Sequence, residues 1–239
     1  MGMSVNTNVG AMLALQNLNK SNKMLETTQL HITTGLKVNG PKDDAATYAI
    51  AQRMRGDIAG MGAVKTALSN GEATVNVAIT AGKAVADMLT EMKAKTVQAN
   101  QAGLDTASKD ALQNDFTSLR DQLTTIVQTA EFNGKNLITS AATSLTVLST
   151  VDGSSISVAA QKLDTTTLGI NASNISSGAS AALVAIDAAI NTVTSSLASM
   201  GSSSKRIDVQ SEFTVQLVDI LKEGVGNLVD ADLAEESAA

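Results

Sequence analysis

The sequence predicts a mainly α protein, an elongated antiparallel bundle of long helices with a small β-hairpin region. Three observations carry this. Apolar residues recur at three- and four-residue steps over most of the 239 residues. Aromatic content is 2%, with one proline and no tryptophan, so alanine, leucine, valine and methionine must fill the interior, which suits helices lying side by side. Strand-like alternation is confined to one short stretch around Asp152-Gly153.

Val5 to Ile32 reads as the first amphipathic helix. Ala11, Leu15, Leu18, Asn22, Leu25, Gln29 and Ile32 share a face, and Asn22 and Gln29 weaken that seam for a lone helix, so it looks built to lie against a partner. A break follows. Gly35 and Gly40 tolerate the backbone of helix ends, Pro41 is the only proline, and Asp43 and Asp44 stand where a new helix wants a cap and negative charge. One helix should stop near Leu36 and another start near Asp43.

From Asp43 to about Asn100 the pattern is helical again. Met54, Ile58, Met61, Leu68, Val75, Ile79 and Leu89 form one face, and Ile50, Val64, Val85, Met88 and Met92 widen it to a second. A helix apolar on two faces needs more than one neighbour. Gly56, Gly60, Gly62, Gly71 and Gly82 each cost the helix about 1 kcal/mol against alanine, so each is expected to allow close backbone approach. At 1.5 Å per residue the helix would run about 85 Å, which makes the predicted protein a rod.

Gly103 interrupts, and Asp105 or Thr106 can cap the next helix. Its Leu112, Phe116, Leu119, Leu123 and Ile126 form a coiled-coil seam. It ends before Glu131-Phe132-Asn133-Gly134, a turn. Leu145, Val147 and Val151, then Ile156 and Val158, flank Asp152-Gly153 as the only expected sheet. The last segment keeps the three–four step from Leu183 to Leu228, with Phe213, Leu217 and Ile220 as a second stripe. Three long helices can satisfy one another, with the hairpin at the far end.

The charge of −6 and pI near 4.8 disfavour nucleic acid and anionic membrane surfaces as partners. No cysteine is present, so disulfides and thiolate metal sites are excluded. The N-terminus lacks the charged and apolar parts of a signal peptide, and no apolar run is expected to span a bilayer. His31 is the lone histidine, which excludes the usual Ser–His–Asp and His–metal constellations; it reads as a solvated or seam-edge residue. Ser202-Ser-Ser-Lys205 lacks the companion motifs of penicillin-binding enzymes, and Gly224-Val-Gly226 lacks the strand of a nucleotide loop. Asp43 with Asp44 reads as helix-start charge. Asp230, Asp232, Glu235 and Glu236 read as a solvated face. No catalytic, metal or cofactor site is expected. What remains is a structural chain with more apolar face than it can use internally, which calls for other subunits.

Four stretches then resemble bacterial flagellins in order and spacing. They are Ser4-Val-Asn-Thr-Asn8 with Ala14-Leu-Gln-Asn-Leu18; Thr34 to Ala46 with Ala49-Ile-Ala51; Phe132-Asn133-Gly134 after a helix; and Gly226 to Ala238, with Leu228, Asp230, Asp232 and Leu233. The resemblance implies a self-assembling subunit of the flagellar filament, secreted to the flagellum without a cleavable signal peptide. It implies a flagellin core of D0 and D1 type. Residues 1–40 would be the inner-layer helix, 41–137 and 178–239 the helical rod, and 138–177 the variable outward segment. Gly35, Asn39, Gly40, Pro41, Asp43 and Asp44 would form the joint between layers, and Leu15, Leu18, Leu25 and Ile32 the subunit-contact face. Partners implied are further copies of the chain, an export chaperone, and hook-junction and cap proteins.

The family usually continues into another amphipathic helix, whereas this chain stops at Ala239, so it is expected to be a truncated form. That further helix is the expected partner of the Leu15–Ile32 face. The stretch matching the family's immune-recognised segment is Thr90 to Gln98. It keeps Lys93, Val97 and Gln98 but has Ala94 at the acidic position. A different reading is a flagellin-like surface protein binding a polysaccharide, although the hairpin segment offers no aromatic residue for sugar stacking.

Overall fold

The computed structural model describes residues 8–238. Five helices and four short strands follow one another: α1 Val9–Thr34, α2 Ala45–Ala99, α3 Thr106–Thr129, β1 Glu131–Phe132, β2 Lys135–Asn136, β3 Leu145–Leu148, β4 Ser155–Val158, α4 Ile175–Val229 and α5 Leu233–Ala238. The first helix starts later than Val5: Asn8 is its cap, and its side chain accepts from the Ala11 amide at 3.1 Å. Residues 5–7, with the start of the Ser4–Asn8 motif, lie outside the described residues. The chain divides into two units, residues 61–215 and residues 1–60 with 216–239.

In the 61–215 unit, α2, α3 and α4 share one core. Leu68, Val75, Leu89 and Met92 of α2 meet Phe116 and Leu123 of α3, and Ile186, Val193 and Met200 of α4. The Asp105 side chain caps α3 through the Ser108 amide at 3.0 Å. Cross-helix ion pairs flank the apolar seam: Lys95–Asp115 and Lys93–Asp187, each at 2.7 Å. The Gln113 side chain accepts the Ile175 amide at 2.6 Å, fastening the start of α4 to α3. Gly178 in α4 has non-helical angles, so the helix is kinked there.

The hairpin forms as alternation requires. Leu145 pairs with Val158 and Val147 with Ile156, and the Val147 and Val158 side chains are buried. Val151 lies in the turn, not a strand. A second sheet, not expected, pairs β1 with β2. Asn133 and Gly134 both take positive φ, at 50° and 72°, so the predicted turn is tight enough to pair its own flanks.

The glycine expectation divides. A Cβ at Gly71 would lie 2.5 Å from Val147 Cγ2, and one at Gly82 would lie 2.9 Å from Leu197 Cδ2, so both allow close approach. Gly56 and Gly62 face open space, and close packing is not their role. The membrane expectation is also corrected: an 18-residue window of α4 is long and apolar enough to cross a bilayer. Alanine interleaved with serine and threonine gives this character without a run of large apolar residues. Within α4, Ile186, Ala189 and Val193 belong to the shared core.

Gly71→Ala should destabilise the 61–215 unit by about 1–3 kcal/mol, because Val147 belongs to a packed core and cannot simply move aside. Gly56→Ala should be neutral or stabilise by about 0.5–1 kcal/mol. Urea melts followed by circular dichroism distinguish the two, and equal effects would contradict the packing described.

Candidate functional site

The break at residues 35–44 is built by segments from both ends of the sequence. Gly35 ends α1 with φ 69°. The next residues pair with the end of α4. Leu36 and Asp230 form an antiparallel bridge. The Lys37 and Val38 amides donate to the Val229 carbonyl at 2.7 and 3.2 Å, and the Ala231 amide donates to the Gly35 carbonyl at 2.9 Å. Val38, Ala51, Val225 and Val229 form a small buried cluster, with Leu36, Tyr48, Met54, Ile58 and Leu228 packed around it. Gly224 leaves room for Met54 and Gly226 for the Asp230 carboxylate, which gives this glycine pair a packing role.

Asp43 and Asp44 divide their work. The Asp43 carboxylate turns back and accepts the Asn39 and Gly40 amides, both at 3.0 Å, bracing the linker and not starting the helix. Asp44 is the cap: it accepts the Ala46 and Thr47 amides and the Thr47 hydroxyl, the last at 2.6 Å. Pro41 is exposed, and the Asp43 bonds and the pairing with Val229 hold the linker around it.

The acidic C-terminal cluster is not simply a solvated face. The Asp232 side chain caps α5 through the Ala234 amide at 2.9 Å. Glu236 Oε1 meets His31 Nδ1 at 2.7 Å, with side-chain exposures of 20% and 13%. His31 is therefore a contact residue at the end of α1. The α1 seam also has a neighbour at that end, α5, where none was expected. A groove of about 620 Å³ runs beside it, lined by Lys20, Lys23, Met24, Thr28, His31 and Glu236 among others.

The rest of α1 is uncovered. It contains no buried residue, and Leu15, Leu18, Leu25 and Ile32 are 60%, 57%, 67% and 47% exposed. Among the other positions singled out, Phe132, Asn133 and Gly134 form the small β1–β2 turn. Lys93 pairs with Asp187, while Val97 and Gln98 of the same helix are exposed. Leu233 is exposed on α5.

Sequence reasoning missed Val38, Val229, His31 and Glu236 as partners across the break. The available clue was Val38 itself, one valine between Lys37 and Asn39 in an otherwise polar linker. Its partner lies 191 positions away by its number, beyond the reach of local periodicity.

An uncovered amphipathic helix that ends in a hydrogen-bonded break fits a structural protein with apolar face left for a partner. The comparisons agree. A family model for the bacterial flagellin N-terminal helical region matches residues 5–143, and one for the C-terminal helical region matches residues 183–239. Flagellin FljK of Caulobacter vibrioides is 44% identical over 98% of this chain and 87% of its own length. Flagellin C of Rhizobium meliloti is 33% identical over 98% of this chain and 89% of its own length. In fold, the chain is similar to the Bacillus cereus flagellin crystal structure, with TM-score 0.55 and 22% identity over 61% of this chain and 86% of that one. A chain described as a flagellar hook-associated protein of Vibrio parahaemolyticus gives TM-score 0.64 at 14% identity, over 79% of this chain and all of that one. This chain belongs to the bacterial flagellins. It is a structural subunit of the flagellar filament, an extracellular appendage, and not an enzyme.

The Thr47 hydroxyl and amide hold the Asp44 carboxyl below its ordinary range. With the folded value below the unfolded one, this stabilisation is present above the unfolded value and is lost as pH falls through the folded value. Protection at Ala46 and Thr47, measured as exchange relative to the unstructured amide at the same pH, should therefore hold at neutral pH and fall only well below pH of about 4. Asp44→Asn should keep most of the neutral-pH protection and lose its acid dependence, and Asp44→Ala should lose both. Unchanged exchange in Asp44→Ala would exclude the cap.

Proposed function

We propose that α1 and the joint at its end are the assembly surface of this subunit. Residues 1–40 act as the inner-layer arm, 41–137 and 178–239 as the helical rod, and 138–177 as the outward segment. Leu15, Leu18, Leu25 and Ile32 enter contacts with other subunits. Gly35, Asn39, Gly40, Pro41, Asp43 and Asp44 hold the arm's departure from the rod, together with the motif residues Leu228, Asp230, Asp232 and Leu233. Phe132, Asn133 and Gly134 set the turn that leads from α3 into the outward segment. Export proceeds without a cleavable signal peptide, and an export chaperone, hook-junction proteins and a cap protein handle the subunit on its way.

The observation that carries this reading is the complete exposure pattern of α1. Burying one leucine or isoleucine fully is worth about 1.5–3 kcal/mol, so four of them offer about 6–12 kcal/mol at most that the monomer leaves unused. A subunit whose partners are further copies recovers this energy on polymerisation.

Leu18→Asp with Leu25→Asp should abolish filament formation in electron microscopy and leave the melting of the 61–215 unit within about 0.5 kcal/mol of the parent, as for exposed sites. Pro41→Ala should alter filament form more than monomer stability. Normal filaments from the double aspartate variant would sink the assignment of α1.

A further inference from the structure

We infer that Asn133 is a site of spontaneous backbone modification, where the Asn133-Gly134 step closes to a succinimide and reopens as aspartate or isoaspartate. The inference stands apart from the assembly role of α1. The chain has three Asn-Gly steps: Asn39-Gly40, Asn70-Gly71 and Asn133-Gly134. Each has the same local chemistry, because glycine has no Cβ to hinder attack by its own backbone nitrogen. The structure separates them.

Asn70 and Gly71 lie inside α2, where the Gly71 amide belongs to the helix ladder and the residue is pressed against Val147. Asn39 is exposed, but the Gly40 amide is engaged: it donates to Asp43 Oδ2 at 3.0 Å. Asn133 and Gly134 are both exposed between β1 and β2. Their positive φ values, 50° and 72°, mark a tight turn in which the flanking Phe132 and Lys135 pair. The Gly134 amide stands outside that pairing and has no backbone acceptor among the described residues. Of the three steps, this one leaves the attacking nitrogen unengaged and the carboxamide beside water.

The Gly134 nitrogen gives its proton to hydroxide and attacks Asn133 Cγ. The N–Cγ bond forms, the Cγ–Nδ2 bond breaks, and the leaving nitrogen takes protons from water to depart as ammonia, which regenerates hydroxide. Water then opens the ring, and nothing is oxidised or reduced. Opening at the new bond gives aspartate. Opening at the original peptide bond gives isoaspartate, whose main chain runs on through Cβ and Cγ. The turn then carries one extra backbone atom and a new carboxylate. A turn fixed by φ at both of its central residues does not accommodate that atom, so β1 and β2 lose their register.

The test incubates the full chain in mildly alkaline buffer, folded and in urea. Peptide mass spectrometry follows each step as the mass gain of hydroxyl over amino, with aspartyl and isoaspartyl peptides separated by chromatography. In the folded chain Asn133 should convert at least about tenfold faster than Asn39 and Asn70, whose reaction waits on local opening. In urea the three rates should converge. Chain carrying isoaspartate at Asn133 should lose amide protection across β1 and β2. Asn133→Gly accepts the positive φ and has no carboxamide, so it should keep that protection through the same incubation. No conversion at Asn133, conversion at Asn39 or Asn70 as fast as at Asn133 in the folded chain, or the folded ranking persisting in urea would overturn the inference. So would isoaspartate at Asn133 with β1–β2 protection intact, or loss of protection by the incubated Asn133→Gly variant.

Discussion

The carbonyl of Val229 receives two amides, from Lys37 and Val38, and the joint depends on that meeting. The linker between α1 and α2 is too polar to hold itself by packing. Pairing it with the end of α4 satisfies its backbone and positions Val38 to be buried with Ala51, Val225 and Val229. With that cluster in place, Asp43 can brace the linker and Asp44 can cap α2 at a defined residue. The later members of the same segment, Asp232 and Glu236, then reach α5 and His31. A break that reads locally as a stop and a start is in fact held by backbone hydrogen bonds to a segment distant in sequence.

Most of the long elements were legible because they obey one period. The faces of α2, α3 and the central part of α4 came from three–four spacing, and the caps Asp44 and Asp105 from residue type at a helix start. The β3–β4 hairpin came from alternation around Asp-Gly. What was not legible depended on distance in sequence or on geometry below the level of pattern. The Leu36–Asp230 bridge pairs residues with no shared local signal. The β1–β2 pair is two residues long and needs the positive φ of Asn133, which a motif suggests but does not dictate. His31 alone could not announce Glu236. The glycines were half legible: composition marks all of them as costly, but only coordinates tell Gly71, pressed on Val147, from Gly56 in open space.

The core also shows how a serine- and threonine-rich chain buries polar residues safely. Thr74, Thr96 and Thr214 are buried, and each hydroxyl donates to the carbonyl four residues earlier, at 2.7 to 2.8 Å. Among the described residues, no buried side-chain nitrogen or oxygen lacks a partner. Unpaired polar groups would be unfavourable here, because helices rich in alanine and threonine gain less from burial than leucine-rich ones.

The uncovered state of α1 has a consequence for how the subunit responds to its surroundings. On the proposed role of α1, residues that pack against other copies contribute to stability by mass action, so their share grows with the logarithm of subunit concentration. The core bundle has a stability fixed by its own sequence. On that proposed role, the packing of the exposed face of α1 depends instead on the population. One chain therefore couples a fold that is indifferent to dilution with a segment that reports crowding of its own kind.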